Sequence, residues 1–254
     1  LCLPAAEQMP PLAAGTYPQG DGYASVTVSN SGGVTLAGVL ADGTTVTAAR
    51  ALLTGDVTAL FTQLSTPGAT ASKGGSLSGG LTFNVGETDG DLGGDFLWFR
   101  PAAVGLKTPL YTDGWPGGIV LAALGALYDG TLKVQAGLGL PAADPVNGNA
   151  ELTLSDGKLT SPITKTNFNI NGNAVAKIPS GDASFTLTLA GTTGLFSGSF
   201  TPNWANPIAT KPGFKGLLIQ RGTRQGGSGF FLSNAKDDAD PEAGRVELRA
   251  SIPD

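Results

Sequence analysis

Hydrophobic and polar residues alternate along several short stretches of the chain. In "ASVTVS", Val26 and Val28 fall on one face, and the hydroxyl residues fall on the other. Alternation with a period of two is typical of a β-strand that buries one face and exposes the other. The stretches "AELTLS", "ASFTLTL" and "RVELRA" repeat the pattern farther along the chain. The sequence therefore predicts many short, half-buried strands.

Turn-forming dipeptides separate these stretches. Asp-Gly occurs six times and Asn-Gly twice, and both supply the positive φ that tight hairpin turns need. The clearest predicted hairpin is "ELTLSDGKLT", residues 151–160, in which two alternating runs flank a two-residue Asp-Gly turn. With 39 glycines, 17 prolines and 14% charged residues in 254, the chain favours turns and strands over helices.

Two segments of the chain resemble each other. Residues 24–40, "ASVTVSNSGGVTLAGVL", match residues 183–200, "ASFTLTLAGTTGLFSGSF", and each copy is followed by an amide-bearing apolar stretch and a Gly-Gly-Ser sequence. Such self-similarity predicts a duplicated β-unit. In "GDVTALFTQL", residues 55–64, helical spacing competes with a strand. Because the matching stretch "FKGLLIQ" has the pattern of a buried strand, a strand is favoured there too.

The predicted fold class is all-β: a duplicated antiparallel β-unit that forms two small barrel- or sandwich-like subdomains. A Pro/Ala-rich leading segment covers residues 1–14, the first subdomain 15–105, a strand-rich connection 106–145 and the second subdomain 146–254. Two barrels, a sandwich and one fused sheet are all compatible with short, evenly spaced strands.

Charge and residue types exclude several functions. The net charge is −5 and the 15 basic residues are scattered, so the chain lacks the basic surface that nucleic acid binding requires. The longest apolar run, "GIVLAALGALY", has 11 residues, short of the roughly 20 in a membrane-spanning helix. With no histidine and Cys2 as the only cysteine, His-dependent catalysis and an internal disulfide are excluded. Most aspartates lie beside glycine in turns, and we predict that the chain is not an enzyme.

Calcium is the candidate ion, and otherwise no cofactor is predicted. Asp89, Asp91 and Asp95 in "ETDGDLGGD" resemble the start of an oxygen-ligand loop, although the bidentate glutamate that ends an EF-hand loop is missing. An ordinary turn is the alternative interpretation. A second acidic stretch, "NAKDDADPEAG", is interpreted as the solvated loop of the last hairpin.

Two aromatic residues are the candidate ligand-binding pair. Tyr111 and Trp115 lie in "LYTDGWPGG", a Gly/Pro-rich stretch that is not expected to form a regular strand. An aromatic ring exposed on a loop can stack against a sugar ring, which makes a glycan the candidate ligand. The alternative is that these large side chains plug the end of a barrel.

Several motifs resemble a known kind of module: "GTYPQGDGYASVTVSNSGGVTLAGVLADGT", "DLGGDFLWFRPA", "YTDGWPGG", "TGLFSGSF" and "FKGLLIQRGTRQGGSGFFLS". They are similar to a glycine-rich all-β module of large secreted or surface-anchored proteins of environmental bacteria. The resemblance implies an extracellular or cell-surface location and carries no catalytic residue. The predicted function is a non-catalytic structural, adhesive or filament-type surface-assembly module that binds other copies or other surface proteins. The alternative is a carbohydrate-binding module or glycan-active appendage.

Overall fold

The computed structural model describes residues 1–5, 12–13, 15–65, 74–84, 86, 90–102, 110–205, 210–234 and 241–251. These residues form seventeen strands and one short helix. In chain order the elements are β1 (Cys2–Pro4), β2 (Asp21–Val28), β3 (Gly33–Val39), β4 (Thr45–Ala51), β5 (Val57–Gln63), β6 (Ser76–Phe83), β7 (Leu92–Arg100), β8 (Trp115–Gly125), α1 (Val134–Gly137), β9 (Ala150–Asp156), β10 (Ile163–Lys165), β11 (Phe168–Asn171), β12 (Ala174–Lys177), β13 (Phe185–Ala190), β14 (Leu195–Phe200), β15 (Gly213–Ile219), β16 (Gly226–Leu232) and β17 (Ala243–Ala250). No helix among the described residues has the length and apolar character needed to cross a membrane.

The first lobe is an eight-stranded antiparallel sheet in the order β4-β3-β2-β1-β8-β7-β6-β5. Its two edge strands approach each other, since Leu53 and Val57 form an isolated bridge and the hydroxyl of Thr58 donates to the carbonyl oxygen of Ala51 at 3.0 Å. Farther along, Nη2 of Arg50 donates to the carbonyl oxygen of Phe61 at 2.8 Å. The sheet therefore curls into a barrel-like lobe.

The second lobe is a seven-stranded antiparallel sheet in the order β10-β9-β17-β16-β15-β14-β13, with the separate β11–β12 hairpin beside it. In the first lobe the last strand, β8, pairs with the first, β1; in the second, β17 pairs with β9. The prediction of an all-β fold with two barrel-like subdomains is confirmed.

The first sheet extends beyond residues 15–105, the predicted bounds of the first subdomain, in both directions. The leading segment supplies β1, which pairs with β2 and β8. The connection assigned to 106–145 supplies β8, which pairs with β7 along most of its length. The first sheet thus recruits strands from both flanking segments.

Local predictions about strands are largely confirmed. Residues 57–63 form a strand, β5, as the repeat indicated. The predicted hairpin at 151–160 differs: Asp156 and Gly157 both have positive φ, yet the return strand β10 begins only at Ile163, opposite Leu154. The intervening residues are held elsewhere, because the amide of Thr160 donates to Oδ1 of Asn203 at 3.1 Å.

The two copies of the repeat are both hairpins, β2–β3 and β13–β14. A Cβ at Gly38 would lie 2.2 Å from the carbonyl oxygen of Tyr23, and a Cβ at Gly198 would lie 2.0 Å from that of Thr186. Each glycine therefore permits the same close backbone contact. The copies continue differently, because β14 pairs with β15 whereas β3 pairs with β4, a strand that the repeat does not include.

Alternating side chains fill two main hydrophobic cores, one in each lobe. The neighbours Phe230 and Phe231 on β16 belong to different cores: Phe230 packs into the first and Phe231 into the second. Since successive side chains of a strand point to opposite faces, β16 contributes to both lobes at once. The second sheet is thereby packed against the first barrel.

Candidate functional site

The structure brings Tyr111 and Trp115 together, but inside the first lobe rather than on its surface. Their ring centroids lie 5.5 Å apart in an edge-to-face arrangement, and Trp98 meets Trp115 in the same way at a centroid distance of 4.6 Å. Tyr111 is 3% exposed and Trp115 is 4% exposed. The expectation of exposed loop aromatics is wrong, and Trp115 is the first residue of strand β8.

Hydrogen bonding and backbone conformation explain the inward position of Tyr111. Its φ of 54° lies in the left-handed region, which turns the chain before β8. Its hydroxyl oxygen accepts a hydrogen bond from the amide of Ala243 at 2.7 Å. This partner belongs to β17 of the other sheet, so Tyr111 links the two lobes.

A buried ion pair lies directly beside Trp115. The guanidinium of Arg100 lies 5.3 Å from the ring centroid of Trp115, its Nη1 is 2.6 Å from Oδ2 of Asp42, and its Nη2 donates to the carbonyl oxygen of Leu110. Arg100 and Asp42 have 3% and 2% of their side chains exposed. This pair connects the turn between β3 and β4 to the end of β7, beside the aromatic cluster.

The Asp42 carboxylate is also bonded locally. Oδ1 accepts from the amide of Thr44 at 2.8 Å and Oδ2 from its hydroxyl at 2.9 Å. Burial raises the pKa of Asp42, and the positive charge of Arg100 and the bonds from Thr44 oppose the rise. The sequence assigned Asp42 only to an Asp-Gly turn, because nothing local indicates a partner 58 residues away.

A pocket of about 420 Å³ opens above the aromatic cluster. Tyr111 and Trp115 lie on its wall together with the polar residues Thr16, Thr112 and Asp113. Among the described residues, Nε1 of Trp115 has no hydrogen-bond acceptor. The pocket can therefore offer hydroxyl and carboxylate groups to a polar ligand, whereas the buried rings leave little face for stacking.

Only two of the three predicted calcium ligands, Asp91 and Asp95, belong to the described residues, and they differ in exposure. Asp89 lies outside the described residues, Asp95 is exposed on β7, and Asp91 is buried at the start of that strand. Within the described ranges, no group of three or more His, Cys, Asp or Glu residues could hold a metal ion. In the second acidic stretch, residues 235–240 also lie outside the described part.

Asp91 binds the other lobe instead. Its Oδ1 accepts from the amide of Gly86 at 3.0 Å and its Oδ2 from the amide of Leu127 at 2.6 Å. Nε of Arg221 lies 2.9 Å from Oδ2, and its Nη2 pairs with Oδ1. Burial raises the pKa of Asp91, but the bonds from Arg221, Leu127 and Gly86 outweigh this effect and hold the pKa below its usual value.

A third buried acid, Asp21, was not predicted as a site residue. It is fully buried at the start of β2, and its oxygens lie 3.7 Å from Nη1 of Arg224 and 3.8 Å from Nε of Arg245. Within the described part of the chain, no nitrogen or hydroxyl group donates a hydrogen bond to either oxygen. Burial raises the pKa of Asp21, against the opposing charges of Arg245 and Arg224.

Cys2 lies beside this carboxylate and is fully buried as well. Burial and the negative charge of Asp21 raise the pKa of the Cys2 thiol well above its ordinary value. A thiol with so high a pKa stays protonated and is a poor nucleophile.

The three buried acids have one arrangement in common: each is opposed by arginine, and two of them meet arginines of the other lobe. Asp21 and Asp91 belong to the first sheet, and their partners Arg224, Arg245 and Arg221 follow β15 or lie in β17. Ion pairs of this kind position and hold structural elements. Comparison of the chain with protein-family models, with curated proteins and with solved structures finds no match.

Proposed function

We propose that the protein is a non-catalytic structural or adhesive module that acts outside the cell, at a bacterial surface. The observation that carries the proposal is the use of its buried charges. Asp91 with Arg221 joins one lobe to the other, and the hydroxyl of Tyr111 adds a second link through the amide of Ala243. A module that transmits load or presents a surface needs its parts held as one unit, and these contacts supply that connection.

Two further features support this role. Phe230 of the second sheet packs into the first core, so separation of the lobes would expose a large apolar side chain to water. Charged residues make up only 14% of the chain, and the motifs resemble modules of secreted and surface-anchored proteins.

Protease treatment of intact cells tests the location. Cells that express the full-length protein are exposed to an impermeant protease, and the loss of signal is followed with an antibody against this domain. A cytoplasmic protein is monitored in parallel as the control for lysis. We expect the domain to be lost while the control stays intact; protection of both until the cells are lysed would refute the proposal.

Glycan binding is the second candidate function, and the pocket beside Tyr111 and Trp115 is the observation that favours it. Thr16, Thr112 and Asp113 provide hydrogen-bonding groups there. A Trp115→Ala test would be confounded, because that ring is part of the core. The sharper variant is Asp113→Ala, which changes an exposed residue.

Asp95→Ala is the matched control, since Asp95 is equally an exposed aspartate and does not line the pocket. Retention on immobilised polysaccharides should fall in Asp113→Ala and stay unchanged in Asp95→Ala. An array of glycans without any retained ligand would remove this candidate.

A further inference from the structure

One end of the first barrel opens into an apolar cleft that the structural role does not require. Strands β2, β6 and β8 end here, at Val28, Phe83 and Gly125, and β7 begins here at Leu92. The pairings of Leu92 with both Phe83 and Gly125 place these chain ends at the same end of the sheet. We call this opening the barrel mouth.

The second lobe covers the barrel mouth only in part. Thr193 and Leu195 of the β13–β14 hairpin, and Leu217 and Leu218 of β15, form the opposite wall of a cleft of about 420 Å³. This volume lies within the range of small-molecule pockets, roughly 300–1,000 Å³, which occur at barrel mouths and domain interfaces.

The walls of the cleft are held in place. The hydroxyl of Tyr128 donates to the carbonyl oxygen of Gly191 at 2.7 Å. The amide of Leu218 donates to the carbonyl oxygen of Gly194 at 2.6 Å. Gly194 lies so close to the Tyr128 ring that a Cβ would be 2.7 Å from it. The hairpin of the second lobe is therefore fastened beside the mouth.

Apolar side chains remain exposed around this opening. Val28 is 44% exposed, Leu195 is 43% exposed and Leu127 is 70% exposed, and all three line the cleft. Clustered exposed apolar side chains beside a cavity are typical of a ligand or interaction site. Ala24, Val26 and Val28 follow one another along the wall over five residues of β2, and the four steps between them span about 13 Å.

The charge of the cleft defines the class of ligand. Asp91 is the one charged side chain among the described residues that line it, and its oxygens are already bonded to Gly86, Leu127 and Arg221. A charged ligand would thus lose its hydration without gaining a counter-ion. The hydroxyls of Ser25, Tyr128 and Thr193 offer hydrogen bonds to at most a small polar group.

We infer that the barrel mouth binds a neutral lipophilic small molecule with an extended aliphatic portion, such as a long-chain alcohol. This activity goes beyond a structural or adhesive role, which needs no ligand. Its failure would leave the proposed location and assembly role untouched.

Titration with the neutral dye phenylnaphthylamine tests the inference, followed by displacement with decanol. Binding should be saturable with one dye per chain, and decanol should reverse it. Val28→Asp places a charge in the cleft and should weaken dye binding by about tenfold or more. Val146→Asp is the matched control, because Val146 is 70% exposed and does not line the cleft; it should bind like the wild type.

Leu127→Asp provides a second test, at a rim residue whose side chain is mostly exposed. Because of this exposure the change should leave the protein folded, and it too should weaken dye binding. Thermal melting of each variant checks folding. Absence of saturable binding to the wild type, equal binding by both cleft variants and wild type, or equal loss in Val146→Asp would each overturn the inference.

Discussion

Removal of Arg100 is the sharpest perturbation of the first lobe, because it leaves a buried carboxylate without its counter-charge. In Arg100→Met, Asp42 would keep its two bonds from Thr44 but lose the 2.6 Å contact with Nη1. The carbonyl oxygen of Leu110 would lose its donor, and Trp115 its cation–π partner. Both partners of the pair are almost completely buried.

The expected cost follows from this burial. Loss of one partner of a buried ion pair destabilises a protein by about 3–5 kcal/mol. An exposed pair contributes only about 0–1 kcal/mol, and Arg249 with Glu247 provides one, at 3.4 Å with about a third of each side chain exposed. Glu247→Gln is therefore the control and should cost at most about 1 kcal/mol.

The effect should depend on pH in a defined direction. Burial raises the pKa of Asp42 in the folded state above that of the unfolded chain, so ionisation favours unfolding as the pH rises above about 4. Without Arg100 the pKa rises further. The difference between Arg100→Met and the wild type should consequently be larger at pH 7 than near pH 4.

Urea unfolding at several pH values measures these quantities, with tryptophan fluorescence as the signal, since Trp115 lies next to Arg100 and Trp98 contacts Trp115. A double variant, Asp42→Asn with Arg100→Met, removes both charges and should recover part of the lost stability. A loss below about 1 kcal/mol for Arg100→Met, or a loss that does not vary with pH, would refute this reasoning.

Three further predictions concern the lobe interface and the acidic loop. Asp21→Asn removes a fully buried carboxylate whose arginine partners lie 3.7 and 3.8 Å away, and it should raise the unfolding free energy by about 1–2 kcal/mol at pH 7. Near pH 4 it should have little effect, because the raised pKa of Asp21 lowers stability only above the pKa of the unfolded chain; destabilisation at pH 7 in a urea titration would contradict this. Phe230→Ala should cost about 3–5 kcal/mol, and a loss below about 1 kcal/mol would be inconsistent with its place in the first core. Millimolar calcium, compared with chelator, should leave the melting temperature unchanged, because the carboxylate oxygens of Asp91 already accept hydrogen bonds from Arg221 and two backbone amides. A rise of several degrees would contradict this, because it would show that calcium binds the folded protein.

Local patterns were sufficient to predict the strands and much of the repeat. Period-two alternation identified β2, β9, β13 and β17, because a strand half-buried in any antiparallel sheet must alternate. The match of residues 24–40 with 183–200 aligns Gly38 with Gly198, and the two glycines make the same close backbone contact. Tyr111 and Trp115 do lie in contact, and their burial agrees with the alternative of a barrel plug rather than with exposed loop aromatics.

Tertiary structure decided which aspartates are buried against arginine and which stay exposed. Asp42 and Asp156 both precede glycine in the sequence, yet Asp42 is buried against Arg100 while Asp156 lies exposed in a turn with positive φ. Asp91 likewise meets an arginine 130 residues away. Local sequence determines backbone conformation, since φ and ψ depend on neighbouring residues. The partner of a charged side chain depends instead on which distant strands the folded chain brings beside it. Sequence alone thus determined that this protein is built of short antiparallel strands, and only the packing of one sheet against the other decided which acids join the lobes and where the apolar cleft opens.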